Sequence, residues 1–196
     1  MIPAVRPMPS ILILASGACM ATVLGLLWAV APLKADPSLK PQAWQSAGFE
    51  VPKDLRPAPA FESIDRRGTA VSLTHLKGKV VLLHFWATFC SSCRSEMEGL
   101  DRLQRDVGKD ALQVVAISID SLDFSVTRFL EQTNVRSICV ARDRSPELRQ
   151  SYGVDALPMT YVIDRMGRIR ARVRGPMEWN GEATKRMLDL LIRESP

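Results

Sequence analysis

Residues 80–86 form an unbroken apolar run, Val80-Val81-Leu82-Leu83-His84-Phe85-Trp86, and the pair Cys90-Ser91-Ser92-Cys93 follows almost at once. A run that does not alternate apolar with polar residues marks a strand covered on both faces, so the chain is committed to a sheet with helices above and below. Met97, Leu100, Leu103 and Val107 then recur at helical spacing until Gly108. That spacing predicts a helix over 91–107, closed by a glycine.

Residues 61–64 and 70–73 flank Asp65-Arg66-Arg67-Gly68 and predict a β-hairpin. Further strands are expected at 112–119, 138–140, 160–163 and 168–173. Helices are expected at 124–132, 146–152 and 181–192, the last capped by Asn180. Strands alternating with helices and ending in a hairpin imply an α/β fold, a central mixed sheet with helices on both faces and an N-terminal hairpin extension. This order resembles the thioredoxin fold.

No charged residue lies between Arg6 and Lys34, and residues 11–33 are almost wholly apolar. As a helix they extend roughly 34 Å, enough to cross a bilayer. The expected organisation is an N-terminal flank at 1–10, a single transmembrane helix at 11–33, a Pro-rich linker at 34–60 and a folded domain at 61–196. Two other readings of the span stay open. Ala29-Val30-Ala31 offers a signal-peptide cut, followed directly by Pro32; Cys19 offers lipidation, which Gly17 and Ala18 suit and Ser16 does not. Arg6 on one side and Lys34 and Lys40 on the other leave the orientation unsignalled. Pro37, Pro41, Pro52, Pro57 and Pro59 mark the linker as a semi-extended tether, with Trp44, Phe49 and Val51 available to pack on the domain instead.

A net charge of +5 with 6% aromatic residues is far from a nucleic-acid footprint, so no nucleic acid is expected. The four cysteines, at 19, 90, 93 and 139, contain one close pair and make no disulfide scaffold. A zinc site needs about four ligands. His75 and His84 are the only histidines, and Arg94 stands where haem attachment requires one, so no metal is expected.

Cys90 and Cys93 open a helix directly after a buried strand. Three-residue spacing places both sulfurs on one helix face, close enough for a disulfide. Free N–H groups and the helix dipole at that end stabilise a thiolate, so Cys90 is expected to be the exposed, acidic thiol and Cys93 the buried resolving partner. Cys139, in a short apolar strand, reads as an inert buried thiol. Asp120 ends a strand and reads as a turn residue, with a functional role as the alternative. Arg168, Arg170, Arg172 and Arg174 alternate with apolar residues and are expected on one strand face, as a solvated edge or as a landing surface for an acidic partner.

The segment Phe85-Trp86-Ala87-Thr88-Phe89-Cys90-Ser91-Ser92-Cys93-Arg94-Ser95-Glu96-Met97 resembles the active-site segment of the TlpA/ResA-like family of membrane-anchored thioredoxin-like proteins. Val154-Asp155-Ala156-Leu157-Pro158-Met159-Thr160 resembles that family's cis-proline loop, and Gly175-Pro176-Met177-Glu178-Trp179 its motif before the last helix. The resemblance implies dithiol–disulfide exchange with no bound cofactor, catalysis by Cys90 and Cys93, and supporting places for Trp86, Phe89 and Pro158. It also implies a cis bond before Pro158, with Leu157 free to pair with substrate backbone. His84 occupies a place where such proteins often carry a polar side chain that accepts the resolving thiol's proton. It stands as that relay or as a core histidine held by a fixed hydrogen bond. The sequence departs from the family at Phe89, usually Trp, and at Ser91-Ser92, a pair that commonly includes Pro.

The activity expected is reduction of protein disulfides outside the cytoplasm, in cytochrome c maturation or copper-site assembly of respiratory oxidases. The resemblance implies a protein disulfide substrate, a membrane thiol electron donor, attachment through the N-terminal helix to the bacterial inner membrane, and a periplasmic domain. Two rivals are a Cu(I)-binding assembly factor using both thiolates, which lacks a distant His after His84, and a thiol peroxidase, which expects Thr at position 87, here Ala87.

Overall fold

The computed structural model describes residues 41–143 and 146–194. The flank at 1–10, the span at 11–33 with Cys19, and residues 34–40 lie outside the described residues. Among the described residues no helix is long and apolar enough to cross a membrane.

The elements run α1 (Pro41–Ser46), β1 (Arg56–Pro57), β2 (Glu62–Ile64), β3 (Ala70–Ser72), β4 (Val80–Trp86), α2 (Ser91–Val107), β5 (Leu112–Ser118), α3 (Asp123–Glu131), β6 (Cys139–Arg142), α4 (Pro146–Ser151), β7 (Met159–Ile163), β8 (Arg168–Arg174) and α5 (Glu182–Arg193). Six strands form one sheet in the order β1-β8-β7-β4-β5-β6, with β2 and β3 as a separate hairpin. β4, β5 and β6 are parallel, and β7, β8 and β1 are antiparallel to their neighbours. All seven residues of β4 are buried, which explains its unbroken apolar sequence.

Two cores cover the sheet. Leu82 and Trp86 of β4 belong to one, with Met97, Leu100 and Leu103 of α2, Val126 of α3 and Leu188 of α5. Val81, Leu83 and Phe85 belong to the other, with Phe61, Val71 and Tyr152. The polar residues on the buried face of α2 are bonded. Asp101 Oδ1 accepts the backbone N–H groups of Arg136, Ser137 and Ile138. Gln104 donates to Leu112 O at 2.8 Å and accepts from Val114 N at 2.7 Å. These bonds pin α2 to β5 and to the approach to β6. Gly108 ends α2 with φ +87°, a conformation that disfavours any side chain.

Three expectations are corrected. The tether does not extend through residue 60, because Trp44 and Phe49 enter the first core and Phe49 lies 6.4 Å from Trp179, edge to face. Backbone bonds from Glu50 to Arg172 and from Ala58 to Gly167 then cover the outer edge of β8. The arginines of β8 do not share one face. A register shift between Val162 and Ile163 lets Ile169 pack on the second core while Ala171 and Val173 pack on the first. Each guanidinium has a carboxylate: Arg168 and Arg170 meet Asp164, Arg170 also meets Glu194, Arg172 meets Glu50 and Arg174 meets Asp155. Neither a free basic edge nor a landing surface results. Lastly, Gly181 rather than Asn180 is the N-cap of α5, and it supplies no side-chain bond.

Phe49→Ala removes a ring that is 2% exposed. The substitution is expected to destabilise the domain by about 3–5 kcal/mol in urea unfolding. A loss near zero would show that residues 41–50 are not part of the core.

Candidate active site at a strand-to-helix junction

Loop 87–89 leads from β4 into α2, whose N-cap is Cys90. A disulfide joins Cys90 to Cys93 across the first turn, with 5.3 Å between the Cα atoms. Cys90 Sγ accepts the N–H of Cys93 at 3.2 Å and lies 3.4 Å from the Ser92 hydroxyl. Cys90 is partly exposed, whereas Cys93 is fully buried. A sulfur at this end of a helix meets donors and the positive end of the dipole, which favours its thiolate.

Strand order determines what flanks this sulfur. β5 runs parallel to β4 with Ser118 opposite Trp86, and β7 runs antiparallel with Met159 opposite Phe85. The end of β5 and the start of β7 therefore lie on either side of the loop that carries Cys90. On the β7 side the Leu157–Pro158 peptide is cis, and Pro158 O accepts Gly175 N at 2.9 Å. Leu157 is partly buried against both cores.

On the β5 side Asp120 is more than a turn residue. It is buried, and it accepts the Thr88 N–H at 2.9 Å, the Thr88 hydroxyl at 2.6 Å and the Ser118 hydroxyl at 2.7 Å. Asp120 is thus a positioning residue for the loop before Cys90. Trp86 supports that loop from inside the core, 5.2 Å from Phe129, and Phe89 is 75% exposed.

His84 shares a strand face with Leu82 and Trp86 and so faces the layer that holds Cys93. Its Nδ1 is 2.8 Å from Thr160 Oγ1, and its buried Nε2 has no partner among the described residues. Burial pushes its pKa down to about 3. Moving a proton from a thiol of ordinary pKa, about 8.5, onto such an imidazole is uphill by roughly 7 kcal/mol. Of the two readings of His84, this balance favours the core histidine, held by Thr160.

Glu96 is the group that the sequence reading passed over. It sits one turn beyond Cys93 on the buried face of α2 and is 6% exposed. Its Oε1 accepts the Met177 N–H at 2.6 Å and the Trp179 indole N–H at 2.9 Å, and its Oε2 is buried without a partner among the described residues. Burial pushes its pKa up to about 7, against the lowering effect of those two bonds. A cleft of about 470 Å³ beside it is lined by Ser95, Arg102, Met177 and Trp179. The signal was a carboxylate three residues after Cys93, at helical spacing with Leu100 and Leu103. Cys139 stays apart from this chemistry in β6, its thiol pushed up to about 11 chiefly by burial.

A dithiol pair at the head of a helix, on this order of strands, defines the class of thioredoxin-fold thiol–disulfide oxidoreductases. The Redoxin family profile matches residues 53–191, and the chain belongs to that family. It is 31% identical over 137 residues to the thiol-disulfide oxidoreductase ResA of Bacillus thuringiensis subsp. konkukian, covering 70% of this chain and 75% of that one. To the ResA of Geobacillus thermodenitrificans it is 31% identical over 120 residues, covering 61% and 68%. Among solved structures it is similar to the exposed lipoprotein thioredoxin of Streptococcus pneumoniae, at 26% identity and a TM-score of 0.60, covering 68% of this chain and all of that one. In fold it matches a thioredoxin-family thiol:disulfide interchange protein of Chlorobium tepidum, at 23% identity and a TM-score of 0.62, covering 72% and 99%.

The depressed pKa of His84 makes stability depend on acid. Below pH 6.5 the unfolded chain takes up a proton that native His84 refuses until about pH 3, so stability is complete above 6.5 and falls through that window. The loss attributable to this group is at most roughly 5 kcal/mol. His84→Leu is expected to flatten that part of the stability curve in urea titrations between pH 7 and 4. An unchanged slope would show that His84 does not control it.

Proposed function

We propose that the protein reduces disulfides of partner proteins outside the cytoplasm, tethered by residues 11–33. The observation that carries the chemistry is Cys90 at the N-cap of α2, partly exposed, with the Cys93 N–H and the Ser92 hydroxyl on its sulfur. In the reduced form these donors face a thiolate. That thiolate attacks one sulfur of a substrate disulfide, forming a Cys90–substrate bond and releasing the other substrate sulfur as a thiolate. Cys93 then gives its proton to the Glu96 carboxylate and attacks Cys90 Sγ, which releases the second substrate thiolate. The substrate gains two electrons, and Cys90–Cys93 is left oxidised.

Glu96 suits the proton step on energetic grounds. Its pKa of about 7 lies much nearer that of a thiol than the imidazole of His84 does. Proton transfer from an ordinary thiol to it is uphill by only roughly 2 kcal/mol. The backbone at Leu157, before the cis bond to Pro158, then aligns a substrate strand beside Cys90. Each cycle ends oxidised, so a dithiol donor must recharge the pair. A membrane thiol carrier is the donor that makes the tether useful where soluble reductant is scarce. The resemblance to ResA proteins favours cytochrome c maturation or oxidase copper-site assembly as the setting.

Full-length Cys93→Ala protein is expected to accumulate a mixed disulfide through Cys90, and Cys90→Ala none. Glu96→Gln is expected to slow resolution about 10- to 100-fold. It should also abolish a rise in the resolution rate centred near pH 7, where the carboxylate ionises. Trapping through Cys93 instead would reverse the assignment. The location has its own test: the full-length protein should resist alkaline extraction from membranes, and protease added to spheroplasts should digest the domain. A soluble form beginning near Pro32 would mean the span is cleaved. A protected domain would reverse the orientation.

A further inference from the structure

Three large apolar side chains stand out in solvent at one end of the sheet. Phe89 is 75% exposed, Phe124 70% and Leu122 65%, whereas Leu55, Ile64 and Met166 are near 50%. None of the three belongs to either core. Strand order and the Asp120 bonds bring them to one place. Asp120 holds Thr88 by its N–H and hydroxyl, Phe89 follows Thr88 directly, and Leu122 and Phe124 follow Asp120 at the turn into α3. This turn lies across the Cys90 loop from Leu157 and Pro158, since β4 separates β5 from β7.

Local structure gives no reason for these residue types. Leu122 is the N-cap of α3 and makes no side-chain cap bond, at a position where Ser, Thr, Asp or Asn would hold the first turn. Phe124 lies two residues into the helix, and its ring gains nothing from folding. Asp123, between them in the chain, is 71% exposed and paired with Arg142 of β6, which keeps a charged group next to Leu122 and Phe124. Such a carboxylate opposes burial in lipid hydrocarbon but tolerates a protein surface with polar groups.

We propose that Leu122 and Phe124, with Phe89, form a second docking surface beside Cys90 that selects oxidised partner proteins carrying apolar side chains next to the disulfide. The patch adjoins the sulfur that any partner must reach, so its occupant is the molecule undergoing exchange. Contact on the β5 side adds apolar burial to the backbone alignment offered on the Leu157 side. The inference rests on Cys90 being the attacking sulfur.

The test uses reduced full-length protein and two peptides closed by the same internal disulfide. One is flanked by Leu and Phe, the other by Ser and Asn; hydroxyethyl disulfide serves as a partner with no flanks. The wild type is expected to react about tenfold faster with the apolar peptide, an effect of the size that burying a few methylene groups produces. Leu122→Ser with Phe124→Ser should bring that rate down to that of the polar peptide. The rates with the polar peptide and with hydroxyethyl disulfide should not change, because neither residue touches the reacting sulfurs. Thermal unfolding of the variant should be no earlier than wild type, since Ser is the better cap. Equal rates for the two peptides with the wild type, or a preference surviving in the variant, would overturn this inference alone. No reaction with hydroxyethyl disulfide in the wild type would overturn the Cys90 reading and this inference with it.

Discussion

Burial of β4 on both faces is the constraint on which the site depends. The strand lies between parallel β5 and antiparallel β7, and its end is the point where the chain must leave the sheet and start a helix. Antiparallel pairing brings the start of β7 to the same end, and parallel pairing brings the finish of β5 there as well. The loop that carries Cys90 is thus flanked by Pro158 and Asp120, which are distant in sequence from it and from each other. α2 cannot drift from this position, because Asp101 and Gln104 bond it to the loop before β6 and to β5.

Burial acts in opposite directions on His84 and Glu96. Desolvation penalises whichever form is charged, so the imidazole of His84 becomes a very weak base and the carboxylate of Glu96 a weak acid near neutrality. Their bonding differs too. His84 is tied to Thr160 on a central strand, while Glu96 reaches across to Met177 and Trp179 in the loop before α5. One group is therefore kept neutral inside the core, and the other has its pKa raised to about 7 at the edge of a cleft.

Residues 41–58 show how a segment rich in proline can still belong to a fold. Pro41 begins α1, where a missing N–H costs nothing, and Trp44 and Phe49 supply the apolar area that holds the segment down. Phe49 meets Trp179, whose indole is bonded to Glu96, so the approach from the N-terminal side is in packing contact with the surroundings of the dithiol pair. Glu50 pairs with Arg172 and completes the neutralisation of β8.

Local patterns in the sequence determined the strands and helices from residue 61 onward, though not α1 or β1, because burial of β4, the periodicity of α2 and the turn at Asp65 are each written within a few consecutive residues. They also determined the dithiol pair, whose spacing and placement at a strand end are local properties. What they did not contain was pairing at long range. The bulge that divides the β8 arginines, the bonds from Asp120 to Thr88 and the contact of Glu96 with Trp179 each join residues far apart in the chain. The same holds for His84: its burial in β4 was legible from the apolar run around it, but its protonation was not, since the desolvation that lowers its pKa comes from elements packed around it. Charge state and partner choice depend on the whole surroundings of a side chain, and only the tertiary structure assembles those surroundings.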